Sequence, residues 1–274
     1  MSAQGGNVRM GAQGGTVRMG AQGGTVRMGA QGGKVRKGVA RRLLDRMFVG
    51  GEVLEVERLT ERMRRVRIGG PALAGLAWTP GQHVRLLIEG GGLLGGVLRT
   101  YSIWAYDPSW EAMDLIGYDH GGDSPGASWV RNAEPGQEVA FTRPDGGFVL
   151  REQAPYHLFA GEETASVAFG AMLRALPPGG VAYGAVEAEG PGGHLDLPRE
   201  LVRVCRDGAS AARSEVLVNA VRELDLPAEP GVAYLAGEAR TIQAVRAHLV
   251  GERGWSRKDV RTKPFWTPGR KGMD

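Results

Sequence analysis

Two sheet architectures in tandem are what this sequence predicts: a six-stranded antiparallel β-barrel followed by a parallel α/β domain. Three observations lead there. Between residues 52 and 150, short runs rich in β-branched and aromatic residues are separated by Gly and Pro turn signals, with no long helical period. From residue 156 onward the period changes, and apolar strands alternate with amphipathic helices. Finally, 42% of the 274 residues are hydrophobic, which suffices for a packed core and excludes a wholly disordered chain.

The first half, placed at 48–150, supplies six strands at 53–59, 63–68, 84–88, 98–104, 113–117 and 138–141. In the second of these, Val66 and Ile68 alternate with Arg65 and Arg67, the two-residue period of a half-buried strand. Gly69-Gly70-Pro71, Pro80-Gly81, Gly90-Gly91-Gly92, Asp107-Pro108 and Pro135-Gly136 punctuate the runs. Six short strands with one short helix, at 127–133, suit a closed antiparallel barrel, which leaves no unpaired edge.

The second half, placed at 155–274, opens with a short apolar strand at 156–160 ending on Gly161. A helix at 163–176 follows, with Val167, Met172 and Leu176 at helical spacing, and Pro177-Pro178-Gly179 stops it. Strands at 181–188, 201–205, 232–236 and 260–266 come with helices at 214–224 and 240–253. Leu217, Val221 and Leu224 share one face of the first helix; Ile242, Val245 and Leu249 share one face of the second. Strand–helix–strand alternation gives parallel strands with right-handed crossovers and a ligand crevice at the strands' C-terminal ends.

Residues 1–44 stand apart as a leader. Gln4-Gly5-Gly6-Asn7-Val8-Arg9-Met10-Gly11-Ala12 recurs from Gln13, from Gln22 and, decaying, from Gln31. Nine residues are too few for a supersecondary repeat. Gly pairs with one Val and one Met per unit offer little burial against the cost of ordering, so a disordered leader is expected. It holds eight of the 34 Lys and Arg and no Asp or Glu, so the rest of the chain, with 26 cations against 30 carboxylates, carries net charge −4. The pI of 9.4 therefore belongs to the leader, so it gives no ground for nucleic-acid binding by the body, and none is expected.

The lone Cys205 cannot form an internal disulfide or a thiolate cluster and reads as a small apolar residue. No group of His, Asp or Glu has metal-ligand spacing, so no metal site is expected. No apolar run approaches the roughly 18 to 20 residues of a membrane span, and the N-terminus lacks the apolar region of a secretory signal. A cytoplasmic monomer is the expectation.

The chemistry begins at Arg99-Thr100-Tyr101-Ser102. On a strand, Arg99 and Tyr101 share one face and Thr100 and Ser102 the other. An Arg beside a Tyr can neutralise a diphosphate while the ring packs on a flat heterocycle, and the following hydroxyl can bond a heterocycle nitrogen. Four more stretches follow in order: Asp119-His120-Gly121 through Gly126-Ala127-Ser128-Trp129; Ala160-Gly161-Glu162-Glu163-Thr164-Ala165; Ala236-Gly237-Glu238-Ala239; and Lys263-Pro264-Phe265-Trp266 with Gly269.

With these five stretches in register, residues 48 to 274 resemble the siderophore-interacting protein family, a branch of the ferredoxin-reductase-like flavoproteins. The resemblance implies an FAD-binding barrel, a Rossmann-like NAD(P)H-binding domain and a ferric siderophore as electron acceptor. Arg99 would hold the FAD pyrophosphate, Tyr101 would lie against the flavin, and Thr100 and Ser102 would flank it, Ser102 near N5. His120, Gly126, Ala127 and Ser128 would form the second FAD loop, with the short helix's N-terminus giving amide donors to phosphate; Trp129 reads as packing beneath it.

Glu163 and Thr164 would reach the domain junction, in a turn that has no G-x-G-x-x-G and whose carboxylates repel a diphosphate. Arg206, with Arg213 nearby, would meet a 2′-phosphate, which favours NADPH over NADH, and Glu238 would join the cofactor contacts. Lys263 would act near the flavin and attract an anionic ferric catecholate. The family often has a polar residue at the place of Trp104, which by strand alternation would sit on the flavin side with Thr100 and Ser102. A reductase for another acceptor, such as a quinone or a redox partner, and a binding module without turnover are the alternatives.

Overall fold

The computed structural model describes residues 47–89 and 96–270. The repeat leader, with its expected disorder, and the glycine loop from Gly90 lie outside the described residues, the latter except for Gly96.

The barrel is built from β1 (Phe48–Arg58), β2 (Met63–Gly69), β3 (His83–Glu89), β4 (Gly96–Asp107), β5 (Ala112–Tyr118) and β6 (Glu138–Thr142). It closes in the order β1-β2-β5-β4-β3-β6, all antiparallel, with β6 pairing back onto β1. Alternation decides what turns inward. Val66 and Ile68 of β2, Val84 and Leu86 of β3, Ile103, Leu115 and Phe141 are fully buried in one core. Helix α1 (Pro125–Asn132) plugs this core with Trp129 and Val130. Ser124 caps α1 by accepting from the Ala127 N–H, and Pro125 occupies the first turn, where a missing N–H costs nothing.

The second sheet is all parallel, in the order β11-β10-β7-β8-β9, from β7 (His157–Glu162), β8 (Ala182–Ala188), β9 (Val202–Cys205), β10 (Val232–Glu238) and β11 (Val260–Trp266). Both faces are covered. Phe159, Val186, Tyr234 and Ala236 pack on α2 (Ala165–Arg174) through Phe169, Met172 and Leu173. The intervening residues Leu158, Ala160, Ala233 and Leu235 pack on α3 (Glu215–Arg222) and α4 (Ala239–Ala247). A single helix is expected over 240–253; the chain instead leaves α4 in a π turn, His248–Glu252, where the His248 ring lies 2.8 Å from the Glu252 carboxylate.

The barrel joins the sheet through a small shared core of Met63, Ile116, Val167 and Leu195, with Trp104 packed against it. Trp104 keeps the outer face expected of it, packing with Met63 and Ile116 outside the barrel core that takes Tyr101 and Ile103. The β4–β5 register shifts beside it, between Ile103 and Ala105, as at a β-bulge. The indole lies on α2: a Cβ on Gly170 would come within 2.0 Å of it, so glycine is required there. The Arg174 guanidinium sits 4.7 Å over the ring and donates to the Trp104 carbonyl at 2.9 Å. Trp104 thus ties barrel to sheet. No helix among the described residues is long and apolar enough to cross a membrane.

Candidate functional site

Arg99 and Tyr101 share the face of β4 that meets α1, with the Arg99 Cγ and the Tyr101 hydroxyl closest to Gly126. The Tyr101 ring is buried against Trp129, centroids 5.3 Å apart, and its hydroxyl donates to the Gly126 carbonyl at 3.2 Å. Burial holds that phenol well above its ordinary pKa, so it stays a donor. With only 9% of its surface open, Tyr101 braces the α1 turn more than it offers a free ring. Arg99 donates to the Leu98 carbonyl and has no carboxylate partner among the described residues. His120 is exposed, with Nε2 3.2 Å from the Ser124 hydroxyl, and the Ser128 hydroxyl accepts from Asn132. Ala127 is buried beneath the turn.

The opposite face of the same wall carries Thr100 and Ser102. Their antiparallel partners are Arg85 and His83, so these four side chains share one side. There β11 delivers Lys263, whose Nζ lies 2.8 Å from His83 Nδ1. A cleft of about 390 Å³ opens between them, lined also by Gly146, Phe148 and Arg261. Burial lowers the Lys263 pKa to about 8, Asp145 opposing the shift and Arg85 adding to it. His83 and Arg261 were not singled out by the sequence: they belong to strands 178 residues apart, and only the fold brings them to one cleft.

At the C-terminal ends of the parallel strands, two neighbouring glutamates diverge. Glu162 is buried, and its carboxylate accepts from the Thr164 N–H at 2.8 Å, from the Thr164 hydroxyl and from the Trp266 indole at 3.0 Å. Burial, reinforced by the adjacent Glu163 charge, pushes its pKa up to about 7, against those hydrogen bonds. Gly237, at φ 113°, lets β10 pass close by; a Cβ there would come within 2.6 Å of the Glu162 oxygen. Glu163 instead pairs with Arg206 through both nitrogens, one at 2.5 Å, and accepts from the Tyr118 hydroxyl at 3.1 Å.

Three of the expected site residues hold protein partners here. Arg206 was to meet a 2′-phosphate, but its side chain is 9% exposed and held by Glu163, with Glu187 3.6 Å away. Glu238 was to contact a cofactor, but it is fully buried and caps α4, accepting from the N–H groups of Arg240 and Thr241 and from the Thr267 hydroxyl. Those hydrogen bonds hold its pKa down against burial. Thr164 stands at the start of α2 without capping it, because its hydroxyl turns to Glu162.

The donors on the barrel side fit a dinucleotide flavin. The first N–H groups of a helix lack intrahelical partners; in α1 Pro125 has none to offer, Ser124 takes that of Ala127, and that of Gly126 has no partner among the described residues. An amide at a helix N-terminus beside a guanidinium without a carboxylate partner offers the kind of donors a diphosphate takes. Among the described residues no three His, Cys, Asp or Glu gather as a metal site.

Comparison with known proteins points to one family. The family model described as "Siderophore-interacting FAD-binding domain" matches residues 94–148, and that described as "Siderophore-interacting protein" matches 154–269, together more than half of the chain. The ferric vibriobactin reductase ViuB of Vibrio cholerae is 29% identical over 180 residues. That match takes in 64% of this chain and 66% of ViuB, so the chain spans slightly less than two thirds of that relative. Among solved structures, a siderophore utilization protein from T. fusca superposes with a TM-score of 0.73 at 24% identity, over 83% of this chain and 95% of that one. The siderophore-interacting protein SipS from Aeromonas hydrophila gives 0.71 at 21%, over 82% and 93%. The FAD/NAD-binding domain of a Vibrio cholerae nitric oxide dioxygenase gives 0.65 at 18%, over 80% and 98%. At these identities the structural likeness is one of fold: an antiparallel barrel followed by a parallel α/β unit.

Proposed function

Because the chain belongs to the siderophore-interacting protein family, we propose that it is an FAD-containing, NAD(P)H-dependent reductase of ferric siderophores. One observation carries the reading: a single barrel wall has Arg99 and the Gly126 amide on one side and, on the other, two hydroxyls beside the cations of the Lys263 cleft.

Each residue then has a task. Arg99 and the Gly126 amide hold the FAD diphosphate, and Tyr101 keeps the α1 turn in place for them. Thr100 and Ser102 offer hydroxyls to the polar edge of the ring system. His120 and Ser128 border the same loop. Bound there, FAD would turn the electron pair of a nicotinamide into the single electrons that Fe(III) accepts. Lys263, with Arg85 and Arg261 nearby, draws an anionic iron chelate to the cleft. The nicotinamide dinucleotide approaches the crevice at the ends of β7, β8 and β10, where Thr164 and Glu163 stand. Iron leaves after reduction because hard oxygen ligands hold Fe(II) less tightly than Fe(III).

The test is an anaerobic pair of half-reactions. The purified protein is expected to be yellow, to bleach with NADH or NADPH, and to recover colour with a ferric siderophore but not with a quinone. A colourless protein that takes up no added FAD ends the reading, and recovery with the quinone alone transfers it to another acceptor.

A further inference from the structure

The ends of β8 and β9 are where this chain departs from its own sequence signals. In doubly wound sheets the adenosine ribose of a dinucleotide lies over the end of the second strand; an acidic side chain there accepts from a 2′-hydroxyl, or an Arg nearby takes a 2′-phosphate. Here the second strand, β8, carries Glu187 just before its last residue, Ala188, and leads to Glu189. The Arg that follows the third strand is Arg206, and it is enclosed between Glu163 and Glu187. The adjoining cleft, about 270 Å³, is lined by Glu61, Arg62, Tyr118, Glu163 and Glu189 and by the glycines that follow β8. Its rim cation, Arg62, pairs with Glu189 at 2.9 Å, both side chains about four-tenths exposed.

A 2′-phosphate in this cleft would have to displace Glu163 from Arg206, or Glu189 from Arg62. Either exchange leaves a carboxylate in contact with the phosphate dianion, and the Glu163 exchange strips a buried ion pair. A 2′-hydroxyl meets no such opposition and finds an acceptor in Glu189. The exposed Arg213 sits beside Ser214, whose hydroxyl bonds Glu187, so it is the alternative phosphate partner to be tested.

We propose that this chain selects the dinucleotide without a 2′-phosphate, NADH, and that the Glu163–Arg206 pair together with Glu189 sets that choice. The inference rests on the reductase reading above and narrows its electron donor. It replaces the NADPH preference that Arg206 suggests in sequence.

The experiment uses the FAD-loaded protein with two readouts: anaerobic bleaching by NADH and NADPH, and calorimetric binding of 5′-ADP and 2′,5′-ADP. Expected is an apparent affinity about tenfold or more in favour of NADH, with 2′,5′-ADP disfavoured likewise, since a like charge placed against the ligand rejects it. Glu189→Ala, at a partly exposed surface ion pair that folding tolerates losing, and Glu163→Gln, which releases Arg206, should each move the ratio toward NADPH. NADPH and 2′,5′-ADP bound as tightly as their counterparts overturn the proposal, as does a ratio unmoved in Glu189→Ala. So does a 2′,5′-ADP preference that vanishes in Arg213→Ala. If neither dinucleotide bleaches the flavin and neither nucleotide binds, the reductase reading falls, and the proposal with it.

Discussion

Lys263 carries its charge under tension: half-buried, 2.8 Å from an imidazole nitrogen, with a pKa lowered to about 8. The ammonium is therefore present below about pH 8 and lost above it. If Lys263 attracts the iron chelate, the KM for an anionic ferric siderophore rises as pH passes through 8, and Lys263→Gln shows a raised KM without that step. Arg99→Ala should weaken FAD retention by about 1.5–3 kcal/mol, as for a lost charged hydrogen bond, read as the flavin fraction surviving gel filtration. Unchanged retention counts against the diphosphate role. Among single residues, short motifs pointed to Arg99 and Lys263. The pairing of Arg206 with Glu163 was not legible, since it joins positions 43 residues apart in sequence. Nor does the string Glu162-Glu163-Thr164 disclose that one carboxylate faces a guanidinium while its neighbour is sealed inside.

At the scale of elements, all six barrel strands, the five parallel strands and four helices were readable from period and punctuation, because burial on one face or both leaves a repeat of two or of 3.6. What escaped were interruptions of those repeats. The bulge at Trp104 shifts the pairing register without any Gly or Pro to announce it, and the π turn after α4 keeps a helical pattern of apolar residues. The Trp104–α2 contact gives a sharp test. Gly170→Ala should destabilise the protein by about 1–3 kcal/mol through overpacking. Trp104→Ala in the same chain should recover part of that loss, since the clash is with the indole; a denaturant double-mutant cycle measures the coupling. Additive losses would mean that α2 does not rest on Trp104 in solution. At α1, Ser124→Ala removes a cap worth about 1 kcal/mol and should loosen FAD as well, because the same turn presents the Gly126 amide.

For the whole molecule, barrel and sheet share the core around Met63 and Val167, so calorimetry should show one unfolding transition for residues 47–270 rather than two. Stability should also depend on pH through Glu162. Its folded pKa, about 7, stands above the ordinary 4.5. An acid with a raised folded pKa gives its full contribution below the unfolded value, and that contribution is lost as pH rises through the folded one. The melting temperature is thus expected to fall between about pH 4.5 and 7, and Glu162→Gln should flatten that slope. An equally steep slope in the variant would assign the dependence to other groups.

The indole of Trp266 donates to this same carboxyl. A fluorophore tethered to a group that gains a negative charge near neutrality is a built-in optical gauge: its emission should shift as the solution is titrated through that point, reporting from within the protein whether the junction beneath it is charged or neutral.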